Sequence, residues 1–274
     1  MLRRTMLLAG LAAPGLIGGA KAQDVPALDR IKASGRLRFG VTSAEPWFYK
    51  SPLSGEWTGV GVAMGQRLAA DLGVAATPVD TTWAFAVAAL QADKMDMMFV
   101  LDPTPERRTA VDFPDAPLFY YAMGALVSTA STARSWADLD TAGTRIAVTI
   151  GTSLEKNISA LMHTAEIVRL NSNDDAIAAF AARHVEAVVQ FHPALVVQYA
   201  KLKLGKVILP EPVAPVPTST GLHRYADASF KDWVGGRLAS LYAEGVPDQV
   251  FTAYLKSKGI DPAGIPGLVK EAWG

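Results

Sequence analysis

Residues 36–41 read RLRFGV and residues 60–73 read VGVAMGQRLAADLG. In the first run, apolar residues alternate with arginine or glycine, which is typical of a β-strand. The second run spaces its apolar residues as a helix does and ends in Gly73, a residue type that terminates helices well. The two runs therefore predict a strand over 36–41, a loop over 42–56 and a helix over 60–72.

The same alternation continues along the chain and restarts after residue 124. The second set of elements is not a sequence repeat of the first, so it indicates a second lobe and not a solenoid. Strands and helices at this spacing predict an α/β fold with a largely parallel sheet. Further strands are predicted at 76–79, 95–101, 125–128, 145–150, 166–170 and 185–191, and further helices at 84–92, 154–164 and 174–182.

A proline-rich segment, PEPVAPVP at 210–217, interrupts this pattern before two predicted C-terminal helices at 228–244 and 247–258. We interpret the segment as the return crossing of the chain from the second lobe to the first. The predicted domains are a first lobe of residues 23–123 together with 218–274, and a second lobe of residues 124–217.

The N-terminal residues 1–22 read MLRRTMLLAGLAAPGLIGGAKA. Arg3 and Arg4 precede an apolar stretch, and small residues follow it, which is the pattern of a secretory signal cleaved before Gln23. The apolar stretch is too short and too interrupted for a membrane span. We expect export to the periplasm by the general secretory route, and the paired arginines leave the twin-arginine route open.

The composition excludes several kinds of site. The 274 residues include 26 basic and 26 acidic ones, four histidines and no cysteine. Without a basic excess, nucleic acid is not expected as a partner. The missing cysteine excludes disulfides, thiolate metal sites and cysteine nucleophiles. Because the histidines also lack a metal-binding spacing, we expect no metal. We also expect no cofactor and, by default, a monomer.

Several short segments follow one another in an order typical of one family: SGRLRFGV (34–41), EPWF (45–48), WTGV (57–60), TPER (104–107), VDF (111–113), PLFY (117–120) and RIAVTIGT (145–152). Over most of residues 28–260 the chain resembles the periplasmic solute-binding proteins of the amino-acid-binding type, family 3. The resemblance implies the type II periplasmic-binding-protein fold, in which two crossover strands join two α/β lobes around a ligand cleft. Such proteins close on a solute by a hinge motion and deliver it to an ABC-type permease in the inner membrane.

Arg107 is the first expected ligand contact, because the matching arginine of the family grips the ligand's carboxylate. A guanidinium presents paired donors that suit a carboxylate. Gly151, Thr152 and Ser153 follow an apolar strand and precede a helix, so their N–H groups and hydroxyls form a natural anion seat. Two alternatives stay open: Arg107 as a solvated surface residue, and Thr152 or Ser153 as plain helix caps.

Aromatic residues supply the expected walls of the cleft. The resemblance implies that Trp47, Phe48 and Trp83 face the cleft, where a ring stacks on a flat or apolar part of the ligand. Each of the three is equally compatible with a place in the core. Thr104, in the same motif as Arg107, is a further expected ligand contact.

Two departures from the family pattern bear on the ligand. Family members that bind α-amino acids usually carry an aspartate where this chain has Phe191, followed by His192. The segment before Thr104 lacks the usual hydroxyl residues and offers Asp102 as a replacement acid. An unpaired buried ammonium is costly, so Phe191 favours an organic anion over an amino acid. Because Asp102 could pair with an ammonium group, an amino acid stays an alternative ligand. His192 is expected to help complete the pocket.

Two other functions stay open beside solute capture. A few proteins of this fold are exported dehydratases of cyclic acids, for which Asp102 or Glu45 is the candidate general acid and His192 a candidate proton relay. The other is an accessory protein of a periplasmic quinoprotein dehydrogenase. We favour a binding protein without catalytic residues, whose partners are an anionic or zwitterionic solute and the permease.

Overall fold

The structure of this chain, a computed structural model, describes residues 25–273. The predicted signal at 1–22 and its cleavage site lie outside this range. Two β-sheets, here called sheet A and sheet B, form the centres of two α/β lobes, lobe 1 and lobe 2. Within the described residues, no helix combines the length and the apolar character needed to cross a bilayer.

Sheet A contains strands from both ends of the described chain. β1 (Arg36–Val41) pairs in parallel with β4 (Ala75–Asp80) on one side and with β5 (Met97–Phe99) on the other. β13 (Thr220–Leu222) forms the edge beyond β5 and is antiparallel to it. β1 matches the predicted strand at both ends, which confirms the assignment made from the alternating pattern.

Helix α2 (Val60–Leu72) has the predicted bounds and packs on sheet A. Its Gly65 makes a close approach to the sheet, since a Cβ atom there would lie 3.0 Å from the Phe39 ring. Gly73 caps the helix in the left-handed conformation with φ 71°. The other elements around sheet A are α1 (Ala27–Ser34), the hairpin of β2 (Tyr49–Lys50) and β3 (Trp57–Thr58), α3 (Ala86–Gln91), α4 (Pro105–Ala110), α9 (Ser229–Ala243), α10 (Val246–Ser257) and a 3-10 turn at Lys270–Ala272.

Sheet B forms the centre of lobe 2. β8 (Arg145–Thr149) is parallel to β9 (Glu166–Leu170) and to β10 (Ala187–Phe191). β7 (Met123–Val127) is antiparallel to β10 and to β11 (Lys206–Ile208). The helices of this lobe are α5 (Trp136–Leu139), α6 (Ser153–Leu161), α7 (Asn173–Ala181) and α8 (His192–Leu202).

Two neighbouring strands carry the chain between the lobes. β6 (Phe119–Tyr121) leads into β7 of sheet B, and β12 (Val216–Thr218) leads into β13 of sheet A. They pair antiparallel, with Val216 opposite Tyr121 and Thr218 opposite Phe119. The proline-rich segment that was predicted to be the return crossing therefore ends in a strand of this crossover.

Both sheets are mixed, although the sequence predicts largely parallel ones. Parallel order holds for β4-β1-β5 and for β9-β8-β10, whose strands end at the edge that faces the other lobe. β7 and β13 begin at that edge, because the chain enters them directly from the crossover. The first residue of β7, Met123, accordingly lies opposite the last residue of β10, Phe191.

Candidate functional site

A cavity lies where the carboxyl ends of the parallel strands of sheet A face those of sheet B. Its lining combines the loops after β1, β4 and β5 with the ends of β8 and β10 and the first turns of α6 and α7. This edge is the usual position of ligand sites in α/β folds. The cavity volume is about 40 Å³, so the space between the facing strand ends is narrow in this arrangement of the lobes.

Asp102 is buried in this cavity, with 8% of its surface exposed, on the loop after β5. Its Oδ1 accepts a hydrogen bond from the Tyr121 hydroxyl, and its Oδ2 accepts one from Ser153 Oγ at the start of α6. Burial, together with the neighbouring Asp102 carboxylate, raises the pKa of Tyr121 well above its usual range, so this hydroxyl stays a donor. The Asp102 carboxylate thus contacts Ser153 of the anion-binding turn that the sequence predicts for a ligand.

Arg107 reaches from lobe 1 to lobe 2. Its backbone N–H donates to Thr104 Oγ1 at 3.3 Å, so Thr104 caps the N-terminus of α4, outside the main cavity. The guanidinium donates from Nη1 to the Asp102 carbonyl oxygen at 3.0 Å and from Nη2 to the Gly151 carbonyl oxygen at 2.7 Å. Burial lowers the pKa of Arg107 while the Asp102 charge opposes this effect. Because arginine stays protonated in proteins, the cavity holds a permanent cation beside Asp102.

Gly151 brings the two lobes into backbone contact. It adopts a φ of 78°, and a Cβ atom at this position would lie 2.6 Å from the Ala84 Cα atom of lobe 1. Glycine alone satisfies both conditions, since other residues resist this φ and would collide. The hydroxyl of Thr152 accepts from the Glu155 N–H at 3.2 Å, so Thr152 caps α6 while it also lines the cavity.

The aromatic residues divide between wall and core. Trp47 and Trp83 line the cavity, and Trp47 stacks on Phe119 with ring centroids 5.1 Å apart. Phe191 also lines it and stacks on Tyr121 at 3.5 Å. Phe48 is fully buried against α2 and is absent from the lining, which corrects the expectation that it faces the cleft.

Several lining residues were not singled out from the sequence: Tyr121, Thr149, Asn173 and Gln190. The signal that was available for Gln190 is a polar residue inside the otherwise apolar strand AVVQF. Thr149 Oγ1 donates to Asn173 Oδ1 at 3.0 Å, and Gln190 Nε2 donates to the Asn173 carbonyl oxygen at 3.5 Å. The Oε1 atom of Gln190 is buried and has no hydrogen-bond partner within residues 25–273.

Residues 37–257 match the model of the bacterial extracellular solute-binding proteins, family 3. The chain belongs to this family. The L-arginine-binding protein of Pseudomonas aeruginosa is 27% identical over 191 residues, which cover 69% of this chain and 73% of that protein. The L-cystine-binding protein TcyJ of Escherichia coli is 28% identical over 153 residues, or 54% of this chain and 57% of that protein.

Solved structures show the same fold. The ancestral amino-acid-binding protein AncCDT-1, described as a precursor of cyclohexadienyl dehydratase, is 28% identical, with a TM-score of 0.73 over 85% of this chain and 99% of that one. The arginine-bound substrate-binding protein AbpA of Streptococcus pneumoniae reaches a TM-score of 0.76 at 19% identity, over 84% of this chain and 98% of that one. These similarities confirm the expected two-lobed α/β fold of a family 3 solute-binding protein.

His192 of this solute-binding protein lies in the core and does not line the cavity. Its Nδ1 accepts from the Ala122 N–H at 3.1 Å, so Nε2 carries the proton that faces the Pro266 carbonyl oxygen at 2.9 Å. Burial lowers the pKa of His192 to about 4, against the effect of these two hydrogen bonds. The expectation that His192 completes the pocket or relays a proton there is therefore corrected.

Glu45 is the other acid that the sequence suggested, and it too lies outside the cavity lining. Although burial alone would raise it, the pKa of Glu45 is lowered by hydrogen bonds from Lys201, Tyr254 and Lys258. The Tyr254 hydroxyl donates to Oε1 at 2.5 Å, and Lys258 Nζ lies 3.1 Å from the same oxygen. Because Lys201 belongs to α8 of lobe 2, this buried acid forms an ion pair between the lobes.

Proposed function

We propose that this solute-binding protein captures a small zwitterion of the amino-acid class between its lobes and delivers it to an ABC-type permease in the inner membrane. The observation that carries the proposal is the pair of opposite charges, Asp102 and Arg107, in one cavity lining. The amino acids in the names of the arginine-binding and cystine-binding relatives support the same class. We take lobe 1 as residues 23–123 with 218–274, lobe 2 as 124–217, and the exported protein as a monomer.

Charge balance favours a zwitterion. Asp102 and Arg107 balance each other, so a simple anion or a simple cation would leave a net charge in a poorly solvated site, which is costly. A zwitterion adds one charge of each sign. Its carboxylate would accept from Arg107 and Ser153, and its ammonium would donate to Asp102. Asp102 thus takes the role of the ammonium-binding aspartate, whose usual position is occupied by Phe191. An amino acid is therefore favoured over the organic anion suggested by the sequence.

We propose binding without chemical turnover. Among the described residues that line the cavity, Asp102 is the single carboxylic acid, and both of its oxygens already accept hydrogen bonds. Glu45 and His192 do not line the cavity, and their side chains are engaged with other partners. The description of AncCDT-1 as a dehydratase precursor keeps the enzyme as the second candidate. Mass spectrometry of incubated solutes decides between them: recovery of every bound solute unchanged is expected, and a dehydrated product would overturn the proposal.

The ligand class is tested by thermal unfolding and calorimetry of the exported protein. Each α-amino acid is paired with its deaminated acid and its decarboxylated amine. Zwitterions are expected to raise the melting temperature, since saturation at a hundred times Kd adds about 2.7 kcal/mol to the free energy of unfolding. Stabilisation by the deaminated acids alone would replace the amino acid with an organic anion.

A further inference from the structure

We propose that Gln190 forms a specificity subsite for a neutral N–H or O–H donor on the solute. The inference rests on the proposed function and deepens it, because it names the amino acids preferred: those whose side chain ends in an amide or hydroxyl. The inference starts from one atom, the buried Oε1 of Gln190, which has no hydrogen-bond partner among the described residues. Gln190 lines the cavity.

The orientation of this amide is fixed by its neighbour. The partner of Nε2 is the backbone carbonyl oxygen of Asn173, which can only accept, so the nitrogen faces Asn173 and the oxygen is left over. Asn173 is itself held by Thr149, whose hydroxyl donates to Oδ1. Turning the amide over would place two acceptors against each other. The free acceptor of Gln190 is therefore a property of this packing.

The free acceptor is unusual, because buried polar atoms nearly always have partners. In the part of the chain that the structure describes, three other buried side-chain atoms share this condition, the hydroxyl oxygens of Thr218, Ser219 and Thr220. None of these three residues lines the cavity, and a hydroxyl can rotate toward a new partner. Among the described residues, Gln190 is thus the one place where an unpartnered buried acceptor meets the site. A solute donor would satisfy it.

The surroundings of Gln190 select a neutral donor over a charged one. The residues that lobe 2 contributes to the lining carry no charge, and they include Val189, Phe191, Leu154 and Ala194. An amide oxygen accepts a hydrogen bond without balancing a cation. The charged residues of the lining, Asp102 and Arg107, belong to lobe 1 and are assigned to the solute's α-ammonium and α-carboxylate. A second ammonium beside Gln190 would be left unbalanced.

The test compares solutes of similar shape that differ in one donor. Suitable pairs are glutamine with methionine, threonine with valine and tyrosine with phenylalanine. The deaminated forms of tyrosine and phenylalanine extend the comparison to acids without an ammonium. A site built to hydrogen-bond a substrate group discriminates strongly against the analogue that lacks it. The wild-type protein is expected to bind at least one donor-bearing member about tenfold tighter than its partner.

The decisive variant is Gln190→Met, which keeps the length of the side chain and removes the acceptor. It is expected to erase the preference for the donor, and its melting temperature without solute is expected to equal or exceed that of wild type. Gln198→Met is the matched control, since Gln198 is buried on α8 and does not line the cavity. Gln190→Glu provides a second variant, which is expected to shift the preference toward lysine.

The subsite and the zwitterion proposal fail on different results. Equal binding within every pair, or a preference that survives in Gln190→Met, overturns the subsite. The same loss for all amino acids in Gln190→Met also overturns it, since Gln190 would then contact a group that they share. A donor preference seen only among the deaminated acids overturns the zwitterion proposal and leaves the subsite standing. If neither the amino acids nor the deaminated acids bind, both the subsite and the zwitterion proposal are overturned.

Discussion

The carboxylate of Asp102 accepts a hydrogen bond from the Ser153 hydroxyl, and this contact joins lobe 1 to the first turn of α6 in lobe 2. An N-terminal helix turn favours a negative group through its free N–H donors and its dipole. Asp102 therefore contributes to the closed arrangement of the lobes in the same way as the carboxylate of a captured solute would. A solute carboxylate that binds Ser153 has to displace Asp102 from the Ser153 hydroxyl. Asp102 is then free to accept a hydrogen bond from the solute's ammonium.

Asp102→Asn is expected to weaken the binding of α-amino acids by about 1.5–3 kcal/mol, because a hydrogen bond to a charged group contributes that much. Deaminated acids are expected to bind more tightly to this variant, since the remaining charge of the site is that of Arg107. Isothermal titration of both solute classes measures the two changes. Asp112→Asn is the control, as Asp112 pairs with Arg224 away from the cavity. An unchanged preference for amino acids would remove Asp102 from the site.

Arg107→Lys is expected to lower the affinity for every carboxylate-bearing solute at least about tenfold. Lysine keeps the charge but lacks the planar fork that donates to two acceptors at once. In this chain the fork already spans from the Asp102 carbonyl to the Gly151 carbonyl. Arg108→Lys is the matched control, since the Arg108 side chain does not line the cavity and donates to the Pro103 carbonyl oxygen at 3.3 Å. Equal losses in both variants would contradict a specific role for Arg107.

Gly151→Ala is expected to hold the lobes apart, because the new Cβ atom would collide with the Ala84 backbone. Small-angle scattering with saturating solute should give a larger radius of gyration than for wild type, and affinity should fall for all solutes. Gly143→Ala is the control: Gly143 also has a positive φ, of 84°, but a Cβ atom there would meet no other atom within 4 Å. Both variants carry a left-handed backbone strain of about 1–2 kcal/mol, so the control accounts for that strain. A wild-type radius of gyration in both variants would contradict the predicted collision between the new Cβ atom at position 151 and the Ala84 backbone.

The stability of the folded protein is expected to fall between about pH 6.5 and pH 4 through His192. Its pKa in the folded state is about 4, below the ordinary value of 6.5, so the unfolded chain binds the proton first. The stabilising contribution is therefore complete above pH 6.5 and is lost as the pH falls toward 4. The full shift corresponds to about 3 kcal/mol.

Urea unfolding at pH 7 and pH 5 measures this loss. His192→Gln should reduce the difference between the two pH values, whereas His163→Gln, at an exposed histidine, should leave it as in wild type. The Glu45 carboxyl contributes in a lower range, since its pKa is lowered and its stabilising effect is lost only below about pH 4.5. A wild-type slope retained in His192→Gln would assign the effect to other groups.

Local pattern predicted the elements best where one residue type decides a boundary. Alternation in RLRFGV and the cap at Gly73 gave β1 and α2 with their observed ends. The strand expected at 95–101 is shorter, Met97–Phe99, because the chain turns at Val100, which has a positive φ of 60°. Apolar composition alone does not reveal such a turn. The predicted strand at 125–128 corresponds to β7, but its antiparallel direction was not predicted, and β13 was not predicted at all. The direction of both strands depends on where the chain leaves the crossover.

The sequence by itself determined the alternation of strands and helices in both lobes, the family motifs and the chemistry of Arg107, because these depend on neighbours within a few positions. Only the tertiary structure decided which groups meet. Asp102 and Ser153 are 51 positions apart, and Glu45 and Lys201 are 156 apart. Burial and pairing at such distances depend on how the lobes pack, which no local pattern encodes. For that reason His192, adjacent to a cavity residue in sequence, is a core residue, and Gln190 acquires an unpartnered acceptor in the site.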